Sequence, residues 1–91
     1  MEFKHKIGAD DSMVEFVKMT ILLAFHEYPI NNEDNDYERA HLVKEKFNEK
    51  YGNYWSAAFI IRGKGNIDSS YNTYYIKVHY NGYVISIWKH K

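Results

Sequence analysis

The chain has 91 residues, with twelve basic and twelve acidic side chains, so its formal net charge is zero. That balance provides no attraction for a phosphate backbone or an anionic membrane, and it argues against a nucleic-acid partner. The absence of cysteine excludes disulfides and thiolate metal sites. The length predicts a single domain, residues 1–91, whose small core would gain from oligomerisation and from the 18% of aromatic residues.

The first elements predicted are a short strand around Phe3–Ile7 and a helix that begins at Ser12. Ser12 and Glu15 have capping-box spacing, and Pro29 ends the helix because it lacks an amide donor. Two apolar flanks on this helix predict contact with two layers. The first flank is Val14, Val17, Ile21, Ala24, Phe25 and Tyr28, and the second is Phe16, Met19 and Leu23.

A polar, acidic connector at residues 31–36 leads into a second helix. Asp34, Asn35 or Asp36 could cap it, with Asn35 and Glu38 at capping-box spacing, and Gly52 ends it. One buried stripe is predicted on an otherwise charged surface. Its members recur at helical spacing: Tyr37, Ala40, Val43 or Lys44, Phe47 and Tyr51.

The rest of the chain has the pattern of strands. Residues 54–61 are aromatic and aliphatic, residues 67–73 form a polar candidate edge strand, and residues 74–80 alternate in polarity. Asn81-Gly82 between two such runs is a strong hairpin signal. The predicted fold class is α+β, with two helices packed on an antiparallel β-sheet.

Candidate catalytic and metal motifs are weak in this sequence. Gly63-Lys64-Gly65 lacks the remainder of a phosphate-binding loop, and the five histidines share no metal-ligand spacing. A calcium loop beginning at Asn31 would put Asp36 where glycine is required and Leu42 where a bidentate glutamate is required. We therefore expect no enzyme activity, no cofactor and no bound metal. The longest apolar cluster, Met19–Phe25, is too short to span a bilayer, so membrane insertion is not expected.

One stretch of the chain resembles a known family. It is the run from Ala40-His41-Leu42-Val43-Lys44-Glu45 through Phe47-Asn48-Glu49-Lys50-Tyr51 to Trp55-Ser56-Ala57-Ala58-Phe59-Ile60. It is similar to the dynein light chain family, and the order of elements agrees over nearly the whole chain. Its departures from the usual family pattern resemble the light-chain-like domains fused behind EF-hands in tegumental calcium-binding proteins of parasitic flatworms. This chain has no EF-hand, so it would be a fragment or a stand-alone relative that does not itself bind calcium.

The resemblance implies a homodimer that exchanges a polar strand and binds short extended peptides by β-strand addition. The implied peptide-binding residues are Gly65, Asn66, Ile67, Asp68, Ser69, Ser70 and Tyr71 of the polar strand, Asp36 and Tyr37 at the second helix, and Val78 and Tyr80. The implied dimer interface comprises Trp55, Ser56, Ala57, Ile67 and Ser69.

The chain departs from the family at two of these places. Asp36-Tyr37 replaces the usual acidic-basic pair that holds a peptide glutamine, and Ser56 replaces an interface histidine. These departures predict an altered or absent peptide specificity and no pH-sensitive dimer switch of the typical kind.

Three functions follow as hypotheses. The first is a peptide-binding hub or adaptor, with dynein motor membership, the dynein intermediate chain as a candidate partner, and a cytoplasmic, cytoskeletal or tegument location. The second is a structural or regulatory dimerisation domain whose groove is lost or altered. The third is a small-molecule binder with a pocket in its aromatic core. From the residues alone, an edge that is protected by Asp68 and the Gly-rich turn and binds nothing is favoured over functional strand addition.

Overall fold

A computed structural model describes residues 1–30, 35–65 and 72–90 of the chain. The elements, in chain order, are β1 (Glu2–Ile7), α1 (Asp11–Glu27), α2 (Asp36–Tyr51), β2 (Trp55–Ile61), β3 (Asn72–Tyr80) and β4 (Tyr83–His90). The strands form one antiparallel sheet in the order β1-β3-β4-β2. The predicted α+β class, with two helices on an antiparallel sheet, is confirmed.

The start of α1 differs from the prediction. Asp10, not Ser12, is the N-cap, and its carboxylate accepts the amide of Met13 at 2.8 Å. Both residues precede the apolar run, and aspartate additionally brings a negative charge to the positive end of the helix. The end of α1 agrees with the prediction, because Tyr28 caps the helix immediately before Pro29.

The helix α2 begins after Asn35 and ends at Gly52, as predicted. Asn35 makes no side-chain capping bond to the helix. Gly52 has a φ of 83°, a left-handed conformation that glycine adopts without strain. The β3–β4 turn contains Asn81 and Gly82 with φ of 57° and 81°, which is the geometry expected of an Asn-Gly hairpin.

The core lies between the sheet and the two helices. Phe47 of α2 packs on Trp55 of β2, with ring centroids 4.9 Å apart, and on Phe16 of α1 at 5.0 Å. The best-buried apolar residues come from all the packed elements except β1: Val17, Ile21, Ala24, Val43, Phe47, Trp55, Ile76, Val78, Ile85 and Ile87.

Two predicted stripe positions are wrong. Met19, assigned to a second buried flank of α1, is 59% exposed, and Tyr37, assigned to the buried stripe of α2, is 77% exposed. Of the alternatives at the centre of α2, Val43 is buried and Lys44 is exposed. The buried band of each helix is therefore narrower than helical spacing alone indicates, because each helix covers the sheet along only part of its circumference.

Candidate functional site

The site begins with an open edge of the sheet. β2 pairs with β4 on one side, and among the described strands it lies at one edge. An edge strand presents backbone amides and carbonyls that an extended segment can pair with. α2 runs beside this edge, because its buried side carries Val43 and Phe47 onto the sheet.

A surface cleft, here called the α2–β2 cleft, lies between this helix and the strand and has a volume of about 230 Å³. Its α2 side consists of residues three and four apart, which lie on one side of a helix. The lining residues are Tyr37, Ala40, His41 and Lys44 of α2, Ser56 and Ala57 of β2, and Trp88 of β4.

Two aromatic side chains form the outer rim of the α2–β2 cleft. The rings of Tyr37 and His41 stack with an interplanar angle of 9° and a centroid distance of 6.0 Å. The Nε2 atom of His41 lies 2.9 Å from a carboxylate oxygen of Glu45, one helical turn further on. This pairing orients the imidazole, so the rim has a defined arrangement.

A buried arginine anchors the entrance of α2. Arg39 is 1% exposed. Its Nε donates to the carbonyl oxygen of Tyr28 at 2.8 Å, and its Nη1 donates to Oδ1 of Asp36 at 2.8 Å. We call this arrangement the Arg39 clasp. It joins the end of α1 to the beginning of α2 across the connector between them.

Aromatic rings enclose the Arg39 clasp. The guanidinium carbon of Arg39 lies 4.9 Å from the ring centroid of Phe25 and 5.5 Å from that of Tyr83. Burial raises the pKa of Tyr83, and a hydrogen bond with Asp36 adds to the effect. Asp36, a predicted peptide-binding residue, is therefore already engaged within the protein.

The predicted dimer-interface residues of β2 fall on two faces of the sheet. Trp55 is 1% exposed and its ring packs on the helices, and Ala57 lies against the same core. Ser56 lies between them in sequence, so its side chain projects to the opposite face, and it is half-buried. The side chain of Ser56, and only the main chain of Trp55, is thus available to a second protomer.

A side-chain bond fixes the position where β2 begins. The Oδ1 atom of Asn48, in the last turn of α2, accepts the amide of Trp55 at 2.8 Å. This bond holds the end of the helix against the start of the strand. It therefore sets the distance between α2 and the β2 edge.

The remaining predicted peptide-binding residues are not gathered at the α2–β2 cleft. Val78 is wholly buried in the core, and Tyr80 packs its ring on Phe25 at 5.6 Å. Gly65 is exposed, and a Cβ at this position would lie 3.5 Å from the side chain of Ile60. The other members of the predicted polar strand lie outside the described residues: Asn66, Ile67, Asp68, Ser69, Ser70 and Tyr71. Their peptide-binding and dimer-interface roles stay predictions.

Sequence reasoning missed Arg39, His41 and Trp88 as members of this region. For Arg39 a signal existed, because Asp36 precedes it by three residues, a spacing that favours an ion pair on a helix. His41 lies one helical turn after Tyr37 on the exposed side of α2. Because Tyr37 was expected to be buried, the sequence did not indicate that the two rings share an exposed surface. For Trp88 the signal is tertiary, since β4 reaches the cleft only through its pairing with β2.

Within residues 1–30, 35–65 and 72–90, no cluster of three or more histidine or carboxylate residues is placed to hold a metal ion. Neither α1 nor α2 has the length and apolar character needed to cross a membrane.

Two solved structures have the same fold as this chain. They are a mercury derivative and a native crystal form of the dynein light chain-like domain of the Fasciola hepatica calcium binding protein FhCaBP2. Both align with a TM-score of 0.82 at 16% sequence identity, covering 99% of this chain and 91% or 90% of the other. No family model matches the sequence, and no curated protein matches it. The predicted resemblance is confirmed at the level of the fold, which is dynein light chain-like.

Proposed function

We propose that this protein is a non-catalytic, homodimeric interaction module that takes up extended protein segments by β-strand addition beside α2, on a strand that the partner protomer adds at the β2 edge. The observation that carries the proposal is the position of β2 at the edge of the described sheet, beside the α2–β2 cleft. The strand added at this edge supplies main-chain hydrogen bonds to the bound segment, and the cleft supplies contacts for a side chain. The dynein light chain-like fold supports a general role in protein interaction or dimerisation.

The dimer in this proposal uses both the edge and the outer face of β2. A second protomer contributes the polar segment 65–71 as a strand beside β2, and the bound peptide then pairs with that segment. Ser56 and Ile60 project to the sheet face opposite the helices and are half-buried, which suits a face that packs on another protomer. Burial of this face would also enlarge the small core of a 91-residue chain.

A second candidate function is a dimerisation domain that binds no peptide. It is favoured by the Arg39 clasp, because Asp36 at the entrance of α2 accepts from Arg39 and is only 25% exposed, which leaves less of its carboxylate for a peptide amide. Membership of a dynein motor, binding to its intermediate chain, and a cytoplasmic, cytoskeletal or tegument location are finer proposals that rest on the fold resemblance.

Sedimentation of the protein alone and with a labelled peptide that contains a glutamine-threonine core tests the proposal. A dimer that takes up the peptide is the expected result. A dimer that ignores the peptide favours the second candidate, and a monomer at high micromolar concentration contradicts both. Ser69→Pro, which deletes a main-chain donor from the polar segment, should abolish peptide uptake.

A charge on the outer face provides a separate test of the dimer. Ile60→Glu should dissociate the dimer, because the carboxylate would be buried on that face, away from the residues that line the α2–β2 cleft. Ser12→Glu is the control, since it introduces the same charge at an exposed position at the start of α1. Circular dichroism should show that both variants are folded. A folded Ile60→Glu protein that remains dimeric would place the interface elsewhere.

A further inference from the structure

The chemistry of the α2–β2 cleft is one-sided. Its lining includes the polar residues Tyr37, His41, Lys44 and Ser56. Lys44 brings a positive charge to the cleft, and no acidic residue lines it. Such a lining suits a negatively charged ligand group, and an ionised carboxylate is the side chain with that property.

Two acidic residues of α2 near the cleft, Asp36 and Glu45, already have internal partners. Asp36 accepts from Arg39 at 2.8 Å, and Glu45 pairs with His41 at 2.9 Å. Lys44 forms no ion pair in the part of the chain that the structure describes. Lys44 is exposed on the cleft wall, so it is a positive charge accessible to a segment that binds beside α2.

We propose that the α2–β2 cleft selects partner segments that carry a glutamate or aspartate side chain, with Lys44 as the charge partner of that carboxylate. The inference rests on the proposed strand addition and names the peptide chemistry that this site takes. The exposed ring of Tyr37 packs along the aliphatic part of the bound side chain. A glutamine in the same place gains the packing but not the charge interaction.

The expected size of the preference follows from the exposure of Lys44. A partly exposed ion pair gives about two- to fivefold in affinity at low ionic strength. Salt screens such a pair, so the preference should shrink when the salt is raised from about 50 mM to about 500 mM. The contributions of side-chain packing and main-chain hydrogen bonds to the affinity should change little over that range of salt concentration.

The test uses two labelled peptides with neutral ends that differ only in glutamine-threonine or glutamate-threonine at the core. Their dissociation constants are measured by fluorescence anisotropy with the wild-type protein and with Lys44→Gln. Lys46→Gln is the matched control, because Lys46 lies on the same helix, pairs with Glu49 and does not line the cleft. Circular dichroism confirms that each variant is folded.

The wild-type protein should bind the glutamate peptide about two- to fivefold more tightly at low salt. Lys44→Gln should remove that preference and Lys46→Gln should retain it. Equal affinities for the two peptides, or a preference that survives Lys44→Gln, would overturn the cleft assignment and leave strand addition in place. Failure of both peptides to bind the wild-type dimer at about 1 mM would overturn strand addition itself, and the cleft assignment with it.

Discussion

Replacement of Arg39 by methionine should be among the most damaging single changes in this domain. The substitution keeps an aliphatic stem between Phe25 and Tyr83, and it removes the bonds to the Tyr28 carbonyl and the Asp36 carboxylate, both 2.8 Å long. A hydrogen bond to a charged group contributes about 1.5 to 3 kcal/mol, so two of them set a scale of about 3 to 6 kcal/mol. The Asp36 side chain is 25% exposed. Because water can rehydrate its carboxylate, the lower end of that range, about 3 kcal/mol, is expected.

The assay is urea unfolding followed by tryptophan fluorescence at one fixed protein concentration. In a thermal unfolding experiment, the same loss of about 3 kcal/mol would lower the melting temperature of a domain of this size by about 12 to 24 °C. Arg39→Lys should recover less than half of the loss, because an ammonium group cannot reproduce the planar fork. Arg62→Met is the control, since Arg62 is exposed and its main-chain amide, which the substitution keeps, donates to the carbonyl of Gly82. A stability of Arg39→Met within about 0.5 kcal/mol of wild type would refute the clasp as a stabilising element.

Three further outcomes are expected. Asp10→Ala should cost about 1 kcal/mol in urea unfolding and Ser12→Ala close to nothing, whereas the opposite order would restore Ser12 as the cap of α1. Asn48→Ala should lower the free energy of unfolding by about 1 kcal/mol, because the amide of Trp55 loses its acceptor. Asn48→Asp keeps an acceptor oxygen and should cost less. Equal losses in the two variants would show that this hydrogen bond does not stabilise the fold. Burial, together with nearby cationic side chains, lowers the pKa of His79 below 6.5. The unfolded chain then binds the proton more readily, so the unfolding free energy should fall between about pH 7 and about pH 5, and less steeply in His79→Gln; parallel pH curves would contradict this.

The elements that the sequence predicts well are those with local signals. Asn81-Gly82, Pro29 and Gly52 each dictate a backbone conformation, so the hairpin and both helix ends could be placed from residue type alone. The fold class follows once the hydrophobic period changes from helical to alternating after Gly52. The choice between Asp10 and Ser12 as the cap was harder, because either residue can accept an amide.

The candidate site was harder to predict because it depends on pairing between distant parts of the chain. Helical spacing groups Tyr37 with Phe47, yet only Phe47 meets the sheet, and Tyr37 projects beside the β2 edge. The engagement of Asp36 by Arg39 could be inferred from their spacing, but the burial of that pair between two helices and β4 could not. Trp88 reaches the cleft only because β4 is the neighbour of β2 in the sheet.

The strand order has a consequence for synthesis of the chain on the ribosome. Both central strands, β3 and β4, lie in residues 72–90, and both outer strands, β1 and β2, precede them in the sequence. Glu2 pairs with His79, so β1 has no partner strand until residue 79 has been synthesised. Helices α1 and α2 can form as they emerge, because their hydrogen bonds are local. Sheet assembly is therefore a late event, and until then a nascent chain exposes two unpaired strands to whatever binds extended polypeptide.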